Sequence, residues 1–118
     1  MPRPIKRGEI YWVDWGQGTG SEQAGMRPAL IIQNDIGNEY GATTIIAPCT
    51  TAEKKPYPVI VSVTAKESGL PKHSSIDLGQ IRTIAKSRLG DKVGWLSASK
   101  MAEVDKAIKY SLGLDQGI

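Results

Sequence analysis

The chain has 118 residues, 40% hydrophobic and 23% charged, with a net charge of +3, which points to one soluble domain (1–118) with a single modest core. One cysteine (Cys49) and one histidine (His73) exclude an internal disulfide and a thiolate metal cluster and argue against a zinc hydrolase site. No metal or cofactor is expected, and a reducing cytoplasm is the natural setting. No apolar run approaches the roughly 20 residues of a membrane span, and "MPRPIKRGE" has no hydrophobic stretch behind it to make a signal peptide.

The elements follow in short runs. "EIYWVD" (9–14) alternates and is rich in β-formers, and the glycine-rich "GQGTGSEQAG" (16–25) behind it reads as a loop. "PALIIQ" (28–33) and "TTIIAP" (43–48) are nearly continuous apolar runs, too short for helices, and predict core strands joined by the "NDIGNEYGA" connection. "PVIVSV" (58–63) predicts a further strand, and "AKESG" (65–69) a single helical turn ending on Gly69. "SSIDLGQIRTI" (74–84) alternates through Ile76 and Leu78 and then changes face at Ile81, with Gly79 at a bulge. Only "SASKMAEVDKAIKYSLG" (97–113) has a helical period. Met101, Val104, Ile108 and Leu112 form its stripe, with Ser97 as N-cap and Gly113 as C′ residue. Many short strands with one terminal helix predict a mainly β fold, a small, strongly bent antiparallel barrel.

The charge is uneven. Between Ala52 and Leu96 stand eight Lys or Arg against four Asp or Glu, a bias that favours a polyanionic partner, nucleic acid or an acidic protein segment. Solvated lysines explain that bias about as well.

If strands 28–33 and 43–48 pair antiparallel, their residue numbers sum to about 77, which sets Arg27 opposite Thr50. A fixed cation then stands beside the Thr50–Thr51 hydroxyl pair at one rim, where the loop carrying Ser21, Glu22 and Gln23 also enters. Such a mouth can grip a phosphodiester, the guanidinium forking onto non-bridging oxygens and the hydroxyls donating beside it. An arginine before proline at a strand start also serves as a plain surface anchor or as the partner of Glu22. Cys49, one residue before Thr50, is expected to face the core. His73, in "LPKHSS", reads as a surface residue. Of the tryptophans, Trp12 is expected to be buried, while Trp15 and Trp95 are open between packing and base stacking.

"RGEIYWVDWG", "GSEQAGMRPALIIQNDIGN", "PCTT" and "GQIRTIAKSRLGDKVGWL" resemble, in order and over nearly the whole chain, the MazF/PemK (Kid) family of toxin endoribonucleases. The resemblance implies an SH3-like antiparallel barrel of the CcdB/Kid type with short helices, assembled as a homodimer. It also implies metal-independent cleavage of single-stranded RNA, mostly mRNA, at a short motif. The implied partner is a MazE-type antitoxin whose acidic C-terminal tail covers the RNA site. Arg27 and Thr50 match the family's catalytic arginine and threonine, and Glu22 a glutamate of the site, here the candidate base. Ser21, Gln23, Asn34, Gln80 and Arg82, with Thr51 beside the catalytic threonine, fall where RNA is bound. Met26 stands where some members carry a histidine, and Gly79 and Ala85 where close relatives carry acids, so base preference does not transfer. Two other classes remain to be separated: a non-catalytic nucleic-acid-binding barrel, and a gyrase poison on the related CcdB-type scaffold.

Overall fold

The computed structural model describes residues 4–17, 25–51 and 57–115. The described residues form seven strands and three helices: β1 (Glu9–Asp14), β2 (Met26–Ile31), α1 (Asp35–Tyr40), β3 (Thr43–Thr50), β4 (Ile60–Val63), α2 (Ala65–Ser68), β5 (Ser74–Asp77), β6 (Arg82–Ala85), β7 (Leu89–Trp95) and α3 (Ala98–Ser111). A 3₁₀ turn at Lys86–Arg88 leads into β7.

The sheet is open, and this corrects the expected SH3-like antiparallel barrel of the CcdB/Kid type. The ladders run β4-β5-β3-β2-β1-β7, with β6 branching from β3, and among the described residues none joins β4 to β7. The class is mixed α and β, one seven-stranded antiparallel sheet with helices packed on it. A helix stands where a closing ladder would be. α2 follows β4 directly and lies against β7 so closely that a Cβ on Gly94 would meet the Ser68 carbonyl oxygen at 2.3 Å. The four-residue strands β4, β5 and β6 are also too short to curl the edge round to β7.

Both sheet faces are covered by apolar side chains. One face carries Ile10, Leu30, Ala47, Cys49, Ile76 and Leu78, and packs against Val104 and Ala107 of α3. The other gathers Tyr11, Val13, Trp15, Ala29, Ile31, Ile46, Ile84 and Leu89. Ser97 caps α3, its Oγ accepting from the Lys100 N–H at 3.1 Å, and Gly113 takes a positive φ of 74° beyond it. In the expected stripe, Leu112 is exposed at the helix end and Ala107 takes its place in the core. α2 is the single turn read from "AKESG", with a Thr64–Glu67 capping box and Gly69 left-handed at its end.

Three local expectations change. The "NDIGNEYGA" connection contains α1, capped by Asn34. "SSIDLGQIRTI" is two strands separated by a turn through Gly79, because β3 changes partner along one edge. β6 pairs with Thr43–Ile46 and β5 with Cys49–Thr50, and Pro48, which has no N–H to offer, lies at the change. Trp12, expected inside, is 37% exposed. It shares the face of Ile10, which α3 covers, but lies two residues farther along β1.

Candidate active site

Three ladder pairs join β2 to β3: Ala29 with Pro48, Leu30 with Ala47, and Ile31 with Ile46. Their common register, carried two residues further, sets position 27 across from position 50. On the outer sides Arg27 pairs with Val13 of β1, and Thr50 pairs with Ser75 of β5. Directly opposed residues of antiparallel strands share a sheet face. Arg27, Thr50 and Ser75 therefore share one face of the sheet, that of Ala29, Ile31 and Ile46. Arg27 is exposed at the strand start and Thr50 half-buried at its end. Cys49 alternates to the opposite face, where burial pushes its thiol up to about 12. A neutral thiol behind the sheet is packing, as the alternation predicts.

The base of the glycine loop is pinched beside Arg27. The Trp15 N–H donates to the Gly25 carbonyl at 2.9 Å, and the Gly25 N–H to the Gly16 carbonyl at 2.8 Å. Both glycines have positive φ, 73° and 77°, a conformation that other residues adopt only with strain. Arg88 packs over this neck, with Nη2 within 3.2 Å of where a Gly16 Cβ would stand. Ser21, Glu22 and Gln23 lie outside the described residues.

Arg82 reaches the same neck from β6. Its Nη1 donates to the Trp15 carbonyl at 2.9 Å, and its guanidinium lies 5.8 Å from the centre of the Trp15 ring. Trp15 is buried, which settles it as packing and as the platform for Arg82. Its indole N–H has no hydrogen-bond partner among the described residues. Gln80, in the turn before β6, donates from Nε2 to Asp77 Oδ2 at 2.8 Å. Thr51 occupies an exposed bend just after β3.

Asn34 stands apart from this group. It caps α1, its Oδ1 accepting from the Gly37 N–H at 2.7 Å, at the closed end of the β2–β3 hairpin. Arg27 and Thr50 are at the open end. His73 is exposed, as read. Trp95 is exposed on β7 opposite Glu9, four residues along β1 from Val13, with Lys92 Nζ 5.4 Å from its ring centre. Burial raises the Glu9 carboxyl there, but bonds from Lys92 Nζ, the Lys6 N–H and the Tyr11 hydroxyl outweigh it and hold Glu9 below the usual carboxylate range. Among the described residues, no group of three His, Cys, Asp or Glu side chains is placed to hold a metal ion.

Sequence reasoning missed Ser75 and Asp77. The signal was in "SSIDLG", where Ile76 and Leu78 fix the apolar side and so send Ser75 and Asp77 to the face of Thr50. Both polar residues are buried.

The sheet rim carries an arginine, a threonine and the neck of a glycine-rich loop with two further arginines beside it, an arrangement whose chemistry suits an anion. Residues 6–112 match the PemK-like, MazF-like toxin of type II toxin-antitoxin systems, and the chain belongs to that family. It is 48% identical over 112 residues to Endoribonuclease MazF of Staphylococcus epidermidis, covering 94% of this chain and 93% of that protein. It is 46% identical over 111 residues to Endoribonuclease EndoA of Bacillus subtilis (strain 168), covering 93% and 96%. Among solved structures it resembles an endoribonuclease in complex with its cognate antitoxin from a mycobacterial species. That match has 25% identity and a TM-score of 0.78, and covers 94% of this chain and 97% of the other.

Proposed function

We propose that the chain is a sequence-specific endoribonuclease toxin that cleaves single-stranded RNA without a metal ion, with Arg27 and Thr50 as its reacting pair. The observation that carries this reading is the shared register. Arg27, exposed, and Thr50, half-buried, share one sheet face near one rim, in a chain of the PemK-like, MazF-like toxin family.

In the reaction the RNA supplies its own nucleophile. The 2′-oxygen bonds to the adjacent phosphorus, the bond to the 5′-oxygen breaks, and the products are a 2′,3′-cyclic phosphate and a 5′-hydroxyl. One proton leaves the 2′-oxygen and one is delivered to the 5′-oxygen. A guanidinium stays protonated throughout the working pH range, so Arg27 stabilises the charge that builds on the non-bridging oxygens rather than moving a proton. Thr50 donates a second hydrogen bond to the same oxygens, and Glu22 is the candidate base. Ser21, Gln23, Thr51, Gln80 and Arg82 hold RNA along the face, whereas Asn34, at the far end of the hairpin, acts there only on a longer strand.

The partners follow from the same surface. The mycobacterial relative solved with its cognate antitoxin supports a partner of that kind, an acidic tail meeting the cations that hold phosphate. Two copies of the chain in a symmetric dimer bring two such rims together. Light scattering at micromolar concentration should give the mass of two chains, and the mass of one would remove the dimer.

The test of the activity is direct. Purified protein and a mixed-sequence RNA in excess EDTA should yield discrete fragments, and a folded Arg27→Ala variant should lose more than the roughly 10²–10³-fold typical of one transition-state donor. RNA bound but intact would leave only a binding module. Near-normal cleavage by Arg27→Ala would overturn the assignment of the pair.

A further inference from the structure

The turn between β5 and β6 holds a carboxylate that the reaction above does not use. Asp77 is only 8% exposed and lies on the same sheet face as Ser75 and Thr50. Its Oδ1 accepts from the Gly79 N–H at 2.9 Å, and its Oδ2 accepts from Gln80 Nε2 at 2.8 Å. A Cβ at position 79 would come within 3.0 Å of Asp77 Oδ1 and 3.4 Å of Val59 Cγ2. The glycine at 79 is therefore part of the same arrangement, since it leaves the carboxylate room to close on its own turn.

The consequence concerns the Gln80 amide. A carboxylate offers only acceptors, so the amide must turn its NH₂ group toward Asp77. The opposite orientation would press Oε1 against Oδ2. Gln80 is half-buried, and with its nitrogen held inward it presents Oε1 outward as an acceptor. Unconstrained, a glutamine side chain flips its amide and accommodates either hydrogen-bond polarity. Held, it keeps its oxygen on the side away from the carboxylate. Adenine and cytosine carry an exocyclic amine next to a ring acceptor on their pairing edge. Guanine and uracil carry an oxygen in place of that amine. An Oε1 fixed opposite this substituent therefore favours the amine of adenine or cytosine and repels the oxygen of guanine or uracil, whose ring N–H and, in guanine, exocyclic amine lie elsewhere on the edge.

We propose that Asp77 is a positioning residue that locks the Gln80 amide, and that the Gln80 subsite thereby selects adenine or cytosine over guanine or uracil at one position of the RNA. This rests on the RNA-cleaving function proposed above and specifies how that site reads sequence. Gln80 touches the base; Asp77 acts only through it.

The test measures kcat/KM on short RNAs varied one nucleotide at a time around the cleaved bond. The wild-type protein should prefer adenine or cytosine at one position by roughly 5-fold or more, the lower end of what a bidentate amide pair provides. Asp77→Asn offers both a donor and an acceptor to the amide, frees it to flip, and should compress that preference at this position alone. Gln80→Met should abolish the preference at the same position, and adding Asp77→Asn to it should change the preference no further. If Asp77→Asn does not fold, Gly79→Ala crowds the same carboxylate and should give the same selective loss. An equal fall on every RNA, or losses from Asp77→Asn and Gln80→Met at different positions, would overturn the proposal. So would a wild-type protein that prefers guanine or uracil, or shows no preference, where Gln80→Met acts. A folded wild-type protein that cleaves no RNA would refute the function itself, which is a different result from any of these.

Discussion

The contact that replaces a closing ladder can be tested with a single methyl group. Gly94 of β7 lies against the end of α2, and a Cβ there would stand 2.3 Å from the Ser68 carbonyl oxygen, 3.1 Å from its carbon and 3.3 Å from the Gly69 Cα. Ordinary contact begins at 3.4 Å, so the Gly94→Ala methyl is roughly 1 Å too close to atoms that have no rotamer to escape into. All three are backbone, and Gly69 is itself fixed, since its own Cβ would meet the Val93 carbonyl oxygen at 2.7 Å. Overpacking of this kind costs about 1–3 kcal/mol, and the rigidity of both partners puts Gly94→Ala at the upper end. The smaller unfolded-state entropy of alanine offsets about 0.4–1 kcal/mol of this, leaving a net loss of about 2 kcal/mol. For a chain of this length that lowers Tm by roughly 6–12 °C. Urea unfolding should show a lower midpoint with an unchanged slope. A Gly94→Ala protein with the wild-type midpoint and Tm would refute the reasoning, because α2 would then not be seated on β7.

Two further perturbations probe the core. Val104 is fully buried where α3 packs on the sheet, so Val104→Asp leaves an unpaired charge there and should cost several kcal/mol; unchanged thermal unfolding would mean that the helix is detached. The Cys49 thiol is raised from its ordinary 9.0 to about 12 by burial, so between those values the unfolded chain has lost a proton that the folded one keeps. Stability from this group is therefore fully present below pH 9 and declines as pH rises toward 12, by up to about 4 kcal/mol. Cys49→Ala should flatten that part of the wild-type pH dependence measured by urea unfolding, and an identical alkaline slope in both proteins would contradict the burial.

Much of the rim was legible in the sequence because two continuous apolar strands and their connection admit one register that buries both. The number sum of 77 follows from that and is met by the Ala29–Pro48, Leu30–Ala47 and Ile31–Ile46 pairs, and with it goes the placing of Cys49 on the face of Ala47. The α3 helix was legible from its period and caps. α1 was not, because it has only six residues with Gly37 inside it. Its stability comes from tertiary bonds: buried Asn38 accepts from Thr44 Oγ1 at 2.7 Å and donates to the Gln33 carbonyl at 2.9 Å, and Lys86 reaches the Asn38 carbonyl. The openness of the sheet was likewise hidden, since local pattern predicts strands but not whether a helix or a ladder fills the gap between the outermost two. The exposure of Trp12 has the same origin, because alternation sets the face and the length of α3 decides how far along that face the cover extends.

The central claim is that Arg27 and Thr50 serve an attack by the RNA's own 2′-hydroxyl. It is tested most directly by cleaving one RNA in EDTA and comparing it with the same RNA carrying a single 2′-deoxy nucleotide on the 5′ side of the cut. The all-ribose strand should give a 2′,3′-cyclic phosphate on one fragment and a 5′-hydroxyl on the other, while the substituted strand binds and stays whole. Cleavage of the substituted strand at the same bond, or a 5′-phosphate on the released fragment, would contradict it.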